Sequence, residues 1–331
     1  MIEIKQCKVA TYQDNEVIHY SLTNLNSGFN VVIQNYGGII VAINTPDRDG
    51  KFANVVVSSS EFDPSNSGHL GAITGRVAGR IRHGKFSLNN QQYQLELNNG
   101  TNHIHGGSKS LNKKFWQVNE IENGIELSYF SPDGEEGYPA NLMIKIAYQI
   151  IDQFSLKLTS STISDQETIV NLTNHSYFDL TAGGEAMNMC LKIPADFYAP
   201  IDATGCVIGE LATVENSVFD FRQSKPLIQD LTCNDQQLLL AGGYDHPFVL
   251  DTTQTISLTD QQSGRVLMVT TDEPCCVVYT SNNLKPKPHR AVCLETQKMP
   301  NAINWPEFSK SVIHQANQEY ISQTIWKFGV I

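Results

Sequence analysis

The chain predicts an all-β fold, a sandwich or barrel built as one large antiparallel β domain with few short helices, spanning residues 1–331. Three observations predict it. Apolar and polar side chains alternate with period two along much of the sequence, the spacing that puts successive side chains on opposite faces of a strand. Gly, Asn, Asp, Ser and Pro punctuate the alternating runs. Long segments with helical period are missing.

The runs at 2–9, 29–33, 39–43, 55–57, 125–130, 142–150, 154–158, 169–172, 255–258, 266–269 and 277–279 are rich in Val, Ile, Leu, Phe, Tyr and Thr, the residues that suit a pleated, half-buried surface. Asn99-Gly100, Asn123-Gly124 and Asp133-Gly134 read as turns. The best helical candidate, 229–240, is short and interrupted by Asn234-Asp235. No Gly/Ser-rich or Pro-rich linker, charge block, low-complexity tract or short-period repeat divides the chain. Many short strands with frequent turns fit a sandwich or barrel.

With 40% hydrophobic and 17% charged residues the composition is that of an ordinary soluble protein. A net charge of −11 argues against a nucleic-acid partner, which wants a basic face, and against an anionic membrane surface. Seven cysteines, an odd number with no CxxC pair, read as reduced thiols of a cytoplasmic protein. The first residues lack the basic start and apolar run of a secretory signal. No apolar run reaches the roughly 18 residues of a membrane span.

Five islands carry chemistry. The densest is 170–180, where His175 stands among two asparagines, hydroxyl residues and Asp179 within β-forming neighbours. The others are 74–81 with Arg80, 102–107 with His103 and His105, 242–248 with Asp245, and 294–304 with Glu295. Glu295 follows an apolar run suited to a buried strand. A carboxylate ending such a strand is desolvated and becomes a better base; a Glu there also serves as an ordinary ion-pair partner. His175 can exchange a proton near neutral pH, or be a core histidine bonded to a carbonyl. His103 and His105 share one face if both lie on a strand; two ligands do not make a catalytic metal site, and no metal is expected. His105 stands at a cleft lip if Gly106-Gly107 turn tightly, and His103 is then structural. Asp245 suits two sugar hydroxyls, or a turn. Arg80 can clamp a polar ligand through its planar fork.

Other residues are set aside. Arg76 and Arg82 are expected on the surface or against another chain. Lys109, Lys113, Lys114, Lys285 and Lys287 are expected as solvated loop charges. His69, His83, His246, His289 and His314 show no partner in sequence, and Trp116, Trp305 and Trp326 are expected in the core. A GxSxG elbow, a P-loop and a GxGxxG after a strand are absent.

Taken in order, the five islands resemble the aldose 1-epimerase (galactose mutarotase) family. The NLTNHSYF stretch at 171–178 and the LETQ-x-x-PNAIN stretch at 294–304 are highly specific; 131–139, 219–222 and 279–282 match further landmarks. The resemblance implies a galactose mutarotase-like supersandwich and interconversion of the α and β anomers of a free hexose such as D-galactose or D-glucose. It places the catalytic base on Glu295, the acid on His175, a second histidine on His105, and sugar binding on Asp245 and Arg80. It implies no cofactor or metal, a monosaccharide as small-molecule partner, and a monomer or homodimer. Gly79 stands where many members have Asn, Ala140 where a Gly is usual, and 112–116 and 205–210 also depart. These differences bear on sugar preference more than on the reaction. A hexose-6-phosphate 1-epimerase would need extra Arg or Lys for the phosphate. A binding protein on the same fold would not need an acid and a base together.

Overall fold

The computed structural model describes residues 1–59 and 61–331. Three antiparallel sheets dominate. A five-stranded sheet runs in sequence order through Ile2–Tyr12, Asn15–Asn24, Asn30–Gln34, Ile39–Pro46 and Phe52–Asn54. In the nine-stranded sheet, Leu142–Ile150 and Ser155–Ser164 pair as a hairpin, and the C-terminal strand Tyr320–Val330 inserts between Ser155–Ser164 and Arg265–Thr271. The six-stranded sheet centres on Val292–Gln297, Cys275–Tyr279 and Asp245–Val249.

Alternation decides which face is buried. Along Leu142–Ile150 the side chains of Leu142, Ile144, Ile146, Tyr148 and Ile150 are buried while Lys145 is exposed. They join Leu22, Val31 and Ile33 of the five-stranded sheet and Val278, Val292 and Leu294 of the six-stranded one in a single core. Phe178 and Trp326 tie two sheets together with ring centroids 6.2 Å apart. Thr296 and Thr324 add a 2.7 Å hydroxyl contact across the same seam. Each large aromatic buried this way is worth about 3–5 kcal/mol against truncation to Ala.

Most expected strands are present with shifted ends. The run at 55–57 is not a strand: the strand is Phe52–Asn54, and Val56 makes only an isolated bridge to Phe178. Its apolar content marks burial rather than pairing. The run at 169–172 splits into Thr168–Ile169 and Thr173–Asn174, which pair with different partners. Asn15–Asn24 and Tyr320–Val330 lie outside the expected runs because polar residues such as Glu16, Ser21, Gln323 and Lys327 interrupt their apolar pattern. Asn123-Gly124 does turn a hairpin, joining Gln117–Ile121 to Gly124–Ser131 with Asn123 at φ 57°. The helical segment breaks into Ile228–Leu231 and Gln236–Ala241, where the Asp235 carboxylate accepts from the N–H groups of Gln237 and Leu238.

Two charged residues correct the sequence reading. Arg76 is buried, not on the surface; its guanidinium donates to the Ser131 hydroxyl and to the carbonyls of Ser131, Pro132, Pro139 and Ala140. A planar five-donor fork satisfied by a ring of carbonyls can be buried with its charge. Lys114 is a partner in an ion pair with Glu135 at 2.6 Å rather than a solvated charge. Arg82 is half-exposed and pairs within the chain, with Asp202 at 2.8 Å. All seven cysteines are free, and the three tryptophans are buried as expected. No helix among the described residues is long and apolar enough to cross a membrane.

Candidate active site

The outer face of the six-stranded sheet floors a cavity of about 800 Å³. Val292–Gln297 is buried along its whole length. Val292 and Leu294 enter the core, so strand alternation turns Cys293, Glu295 and Gln297 to the opposite face. Register does the rest. Cys293 pairs with Tyr177 on one side and Tyr279 on the other, Tyr279 pairs with Asp245, and Glu295 pairs with Val277. Glu295 therefore lies inside a central strand, not at its end, and Asp245 opens a strand rather than sitting in a loop.

His175 sits between two short strands, its N–H donating to Ala72 at 2.9 Å and its carbonyl accepting from Gly71 at 3.0 Å. Its ring stacks on Tyr177 with centroids 5.0 Å apart. Nε2 lies 3.5 Å from Glu295 Oε1, and Nδ1 lies 3.5 Å from Cys293 Sγ. At that separation Nε2 and the carboxylate are neighbours rather than a tight hydrogen bond.

His103 and His105 diverge. The strand stops at Ile104, and His105 adopts a left-handed backbone at φ 54°. The shared face expected for an HxH strand pair is lost. His103 turns into the core, with Nδ1 2.8 Å from the Glu96 carbonyl and Nε2 2.7 Å from the Tyr138 hydroxyl. His105 enters the cavity instead. The Gly79 N–H donates to its Nδ1 at 3.2 Å, so in the neutral ring the proton is on Nε2. The turn needs glycine: a Cβ on Gly106 would stand 1.9 Å from the Gly75 oxygen. Gly79 is constrained as well, since at φ 73° its Cβ would meet Pro300 at 2.8 Å.

Arg80 is aimed by two neighbours, donating to Asn99 Oδ1 at 3.0 Å and to the Gly205 carbonyl at 3.1 Å. Its Nη1 lies 3.6 Å from Asp245 Oδ2. All five residues singled out in the sequence thus line one cavity, together with His69, Tyr177, Tyr279 and Gln297, which sequence reasoning missed. Gln297 had a signal, its i+2 spacing from Glu295. His69 had none beyond its place just ahead of the 74–81 island.

Burial sets the electrostatics. It pushes the Glu295 carboxyl well above the usual carboxylate range, with Asp245 adding to the rise and Arg80 opposing it. It lowers His175 to about 4. It lowers His105 well below the usual histidine value, with His69 and His175 adding. Asp245 is raised by burial against the pull of Arg80. Burial thus favours the uncharged forms of both Glu295 and His175. His175, Cys293 and Glu295 place ligand atoms within 4.8 Å of one another. The contacts of Cys293 and Glu295 fall on different nitrogens of the one imidazole, an arrangement suited to orienting the ring.

The family model described as aldose 1-epimerase matches residues 19–327. The chain belongs to the aldose 1-epimerase family. It is 37% identical to galactose mutarotase of Bos taurus over 320 residues, 91% of each chain. It is 32% identical to aldose 1-epimerase of Haemophilus influenzae over 328 residues, covering 93% of this chain and 96% of the relative. The crystal structure of galactose 1-epimerase from Lactobacillus acidophilus superposes with a TM-score of 0.90 at 28% identity, covering 100% of this chain and 99% of that one. The architecture is the β-sandwich of this family, as the resemblance implied.

Proposed function

We propose that the chain is an aldose 1-epimerase, interconverting the α and β anomers of free hexoses such as D-galactose and D-glucose. The observation that carries this reading is the acid–base pair on the cavity floor, His175 Nε2 and Glu295 Oε1 at 3.5 Å. A pyranose needs two such groups, one for the C1 hydroxyl and one for the ring oxygen. Glu295 removes the C1 hydroxyl proton. The O–H electrons form the C1 carbonyl, the bond from C1 to the ring oxygen breaks, and that oxygen takes its proton from His175.

The open aldehyde then rotates about C1–C2. On closure the former ring oxygen attacks the other carbonyl face, His175 recovers its proton, and Glu295 returns one to O1. His105 donates from Nε2 to the ring oxygen and steadies the developing charge. Arg80 and Asp245 hold outer hydroxyls so that the open chain stays placed. One proton moves between Glu295 and His175 during each half-reaction, so no net proton is consumed. Because burial raises Glu295 and lowers His175, the empty site favours that proton on Glu295. The ionised pair required for ring opening is the minor form, and the rate falls at both low and high pH.

Lys113 and Lys285, set aside as solvated loop charges, stand at the cavity rim and favour one second reading, a hexose 6-phosphate as substrate. We place the protein in the cytoplasm as a monomer or homodimer, residues 1–331 acting as one unit. Polarimetry of freshly dissolved α-D-galactose, α-D-glucose and α-D-glucose 6-phosphate tests the reading. Faster decay of rotation with the free sugars is expected. Acceleration with the phosphate alone would transfer the assignment to the second reading, and sugar binding without any acceleration would make this a binding protein.

A further inference from the structure

His69 is a third imidazole in the cavity that the mechanism leaves unused. Its ring centroid lies 4.8 Å from that of His105 and 6.0 Å from that of His175, nearly parallel to the latter. Its backbone is left-handed, φ 53°, and pinned: its N–H donates to Asn66 at 2.9 Å and its carbonyl accepts from Ala72 at 3.0 Å. Asn66 in turn holds Leu70 at 2.8 Å. A histidine kept in this sparsely populated conformation needs support from its surroundings, and such residues cluster at ligand sites. Its one side-chain hydrogen-bond partner among the described residues is the Thr74 hydroxyl, 3.5 Å from Nδ1. Among the described residues, Nε2 has no hydrogen-bond partner at the cavity wall.

We propose that His69 binds substrate directly and reads the exocyclic hydroxymethyl group of a hexose. This rests on the epimerase reading above. In that reading His175 and His105 bracket the ring oxygen. That oxygen has two carbon neighbours: C1, which faces Glu295, and C5, which bears the hydroxymethyl group. His69 packs on both bracketing histidines. Glu295 meets this pair at His175 Nε2, 3.5 Å away, whereas the nearer ring to His69 is that of His105. It therefore stands on the C5 side. Burial lowers it to about 3, so the ring stays neutral and offers one donor and one acceptor to a hydroxyl.

D-Xylose and L-arabinose have the ring and hydroxyl configuration of D-glucose and D-galactose but lack the hydroxymethyl group. The test is polarimetric kcat/KM on both hexose–pentose pairs for wild type, His69→Asn and His69→Gln. Asn tolerates the left-handed backbone but is too short to reach; Gln restores an amide at imidazole distance. Loss of one neutral hydrogen bond predicts a roughly three- to tenfold fall on the hexoses for His69→Asn, little change on the pentoses, and partial recovery in His69→Gln. Melting curves for both variants verify the fold. An equal fall on hexoses and pentoses overturns the proposal and makes His69 a prop for His105 and His175. No change on either sugar also overturns it. Wild type that accelerates none of the four sugars sinks the epimerase reading itself.

Discussion

Replacing Glu295 by Gln tests the chemistry with the least structural disturbance. The side chains have the same shape, and Glu295 is 3% exposed in a strand paired on both sides. A positioned general base contributes about 100- to 10,000-fold, equivalent to about 2.7–5.4 kcal/mol in the barrier. The expected result in polarimetry of α-D-galactose is a fall in kcat of that size with a much smaller change in KM. Stability should move the other way. The folded carboxyl titrates above its unfolded value, so the native state binds more protons and loses stability as pH rises from about 4.3 towards the folded value. The Gln variant lacks that penalty. Its melting temperature should match or exceed that of wild type at pH 7, and the gap should close as pH falls towards 4. A variant retaining more than a tenth of wild-type kcat would refute the assignment of Glu295 as base. A variant that loses activity together with several degrees of melting temperature would show that the residue is structural.

Asp245→Ala removes a charged hydroxyl acceptor and should lower kcat/KM by about ten- to a hundredfold, mostly through KM in steady-state rates. Gly106→Ala drives a methyl into the Gly75 oxygen, 1.9 Å away at φ 84°; denaturant melts should show a loss of about 2–4 kcal/mol, with activity falling as His105 is displaced. Ala140 holds φ 73°, so Ala140→Gly should raise stability by about 0.5–1 kcal/mol without altering rates. His246 is buried neutral and lowered to about 3, its Nδ1 facing the Asp245 N–H at 3.1 Å and its Nε2 facing Gln237 Oε1 at 3.2 Å. The unfolded state gains a proton below about pH 6.5 that the native state refuses, so this residue withdraws about 2 kcal/mol between pH 7 and pH 5, and the stability difference between wild type and His246→Asn should shrink over that range.

The sequence by itself determined the class of fold and singled out the two residues proposed as acid and base. Period-two alternation is a local property, and a strand with one face in the core must show it, as Leu142–Ile150 does. Glu295 and His175 were legible through the stretches at 294–304 and 171–178 that carry the family resemblance, because an ionisable group among β-forming apolar residues can equally be an ion-pair partner or a satisfied core histidine. Only the tertiary structure decided which groups meet. His103 and His105 are two residues apart and would share a strand face, yet one left-handed residue sends one ring to Tyr138 and the other to the cavity. Arg76 and Arg80 look alike in sequence, but Arg76 finds a ring of carbonyls and Arg80 an aspartate. His69 carries no local mark, because its role comes from contacts with residues 36 and 106 positions away. Alternation records how a segment sits on its own sheet, while a site is assembled across sheets by register and turn geometry, which no single segment encodes.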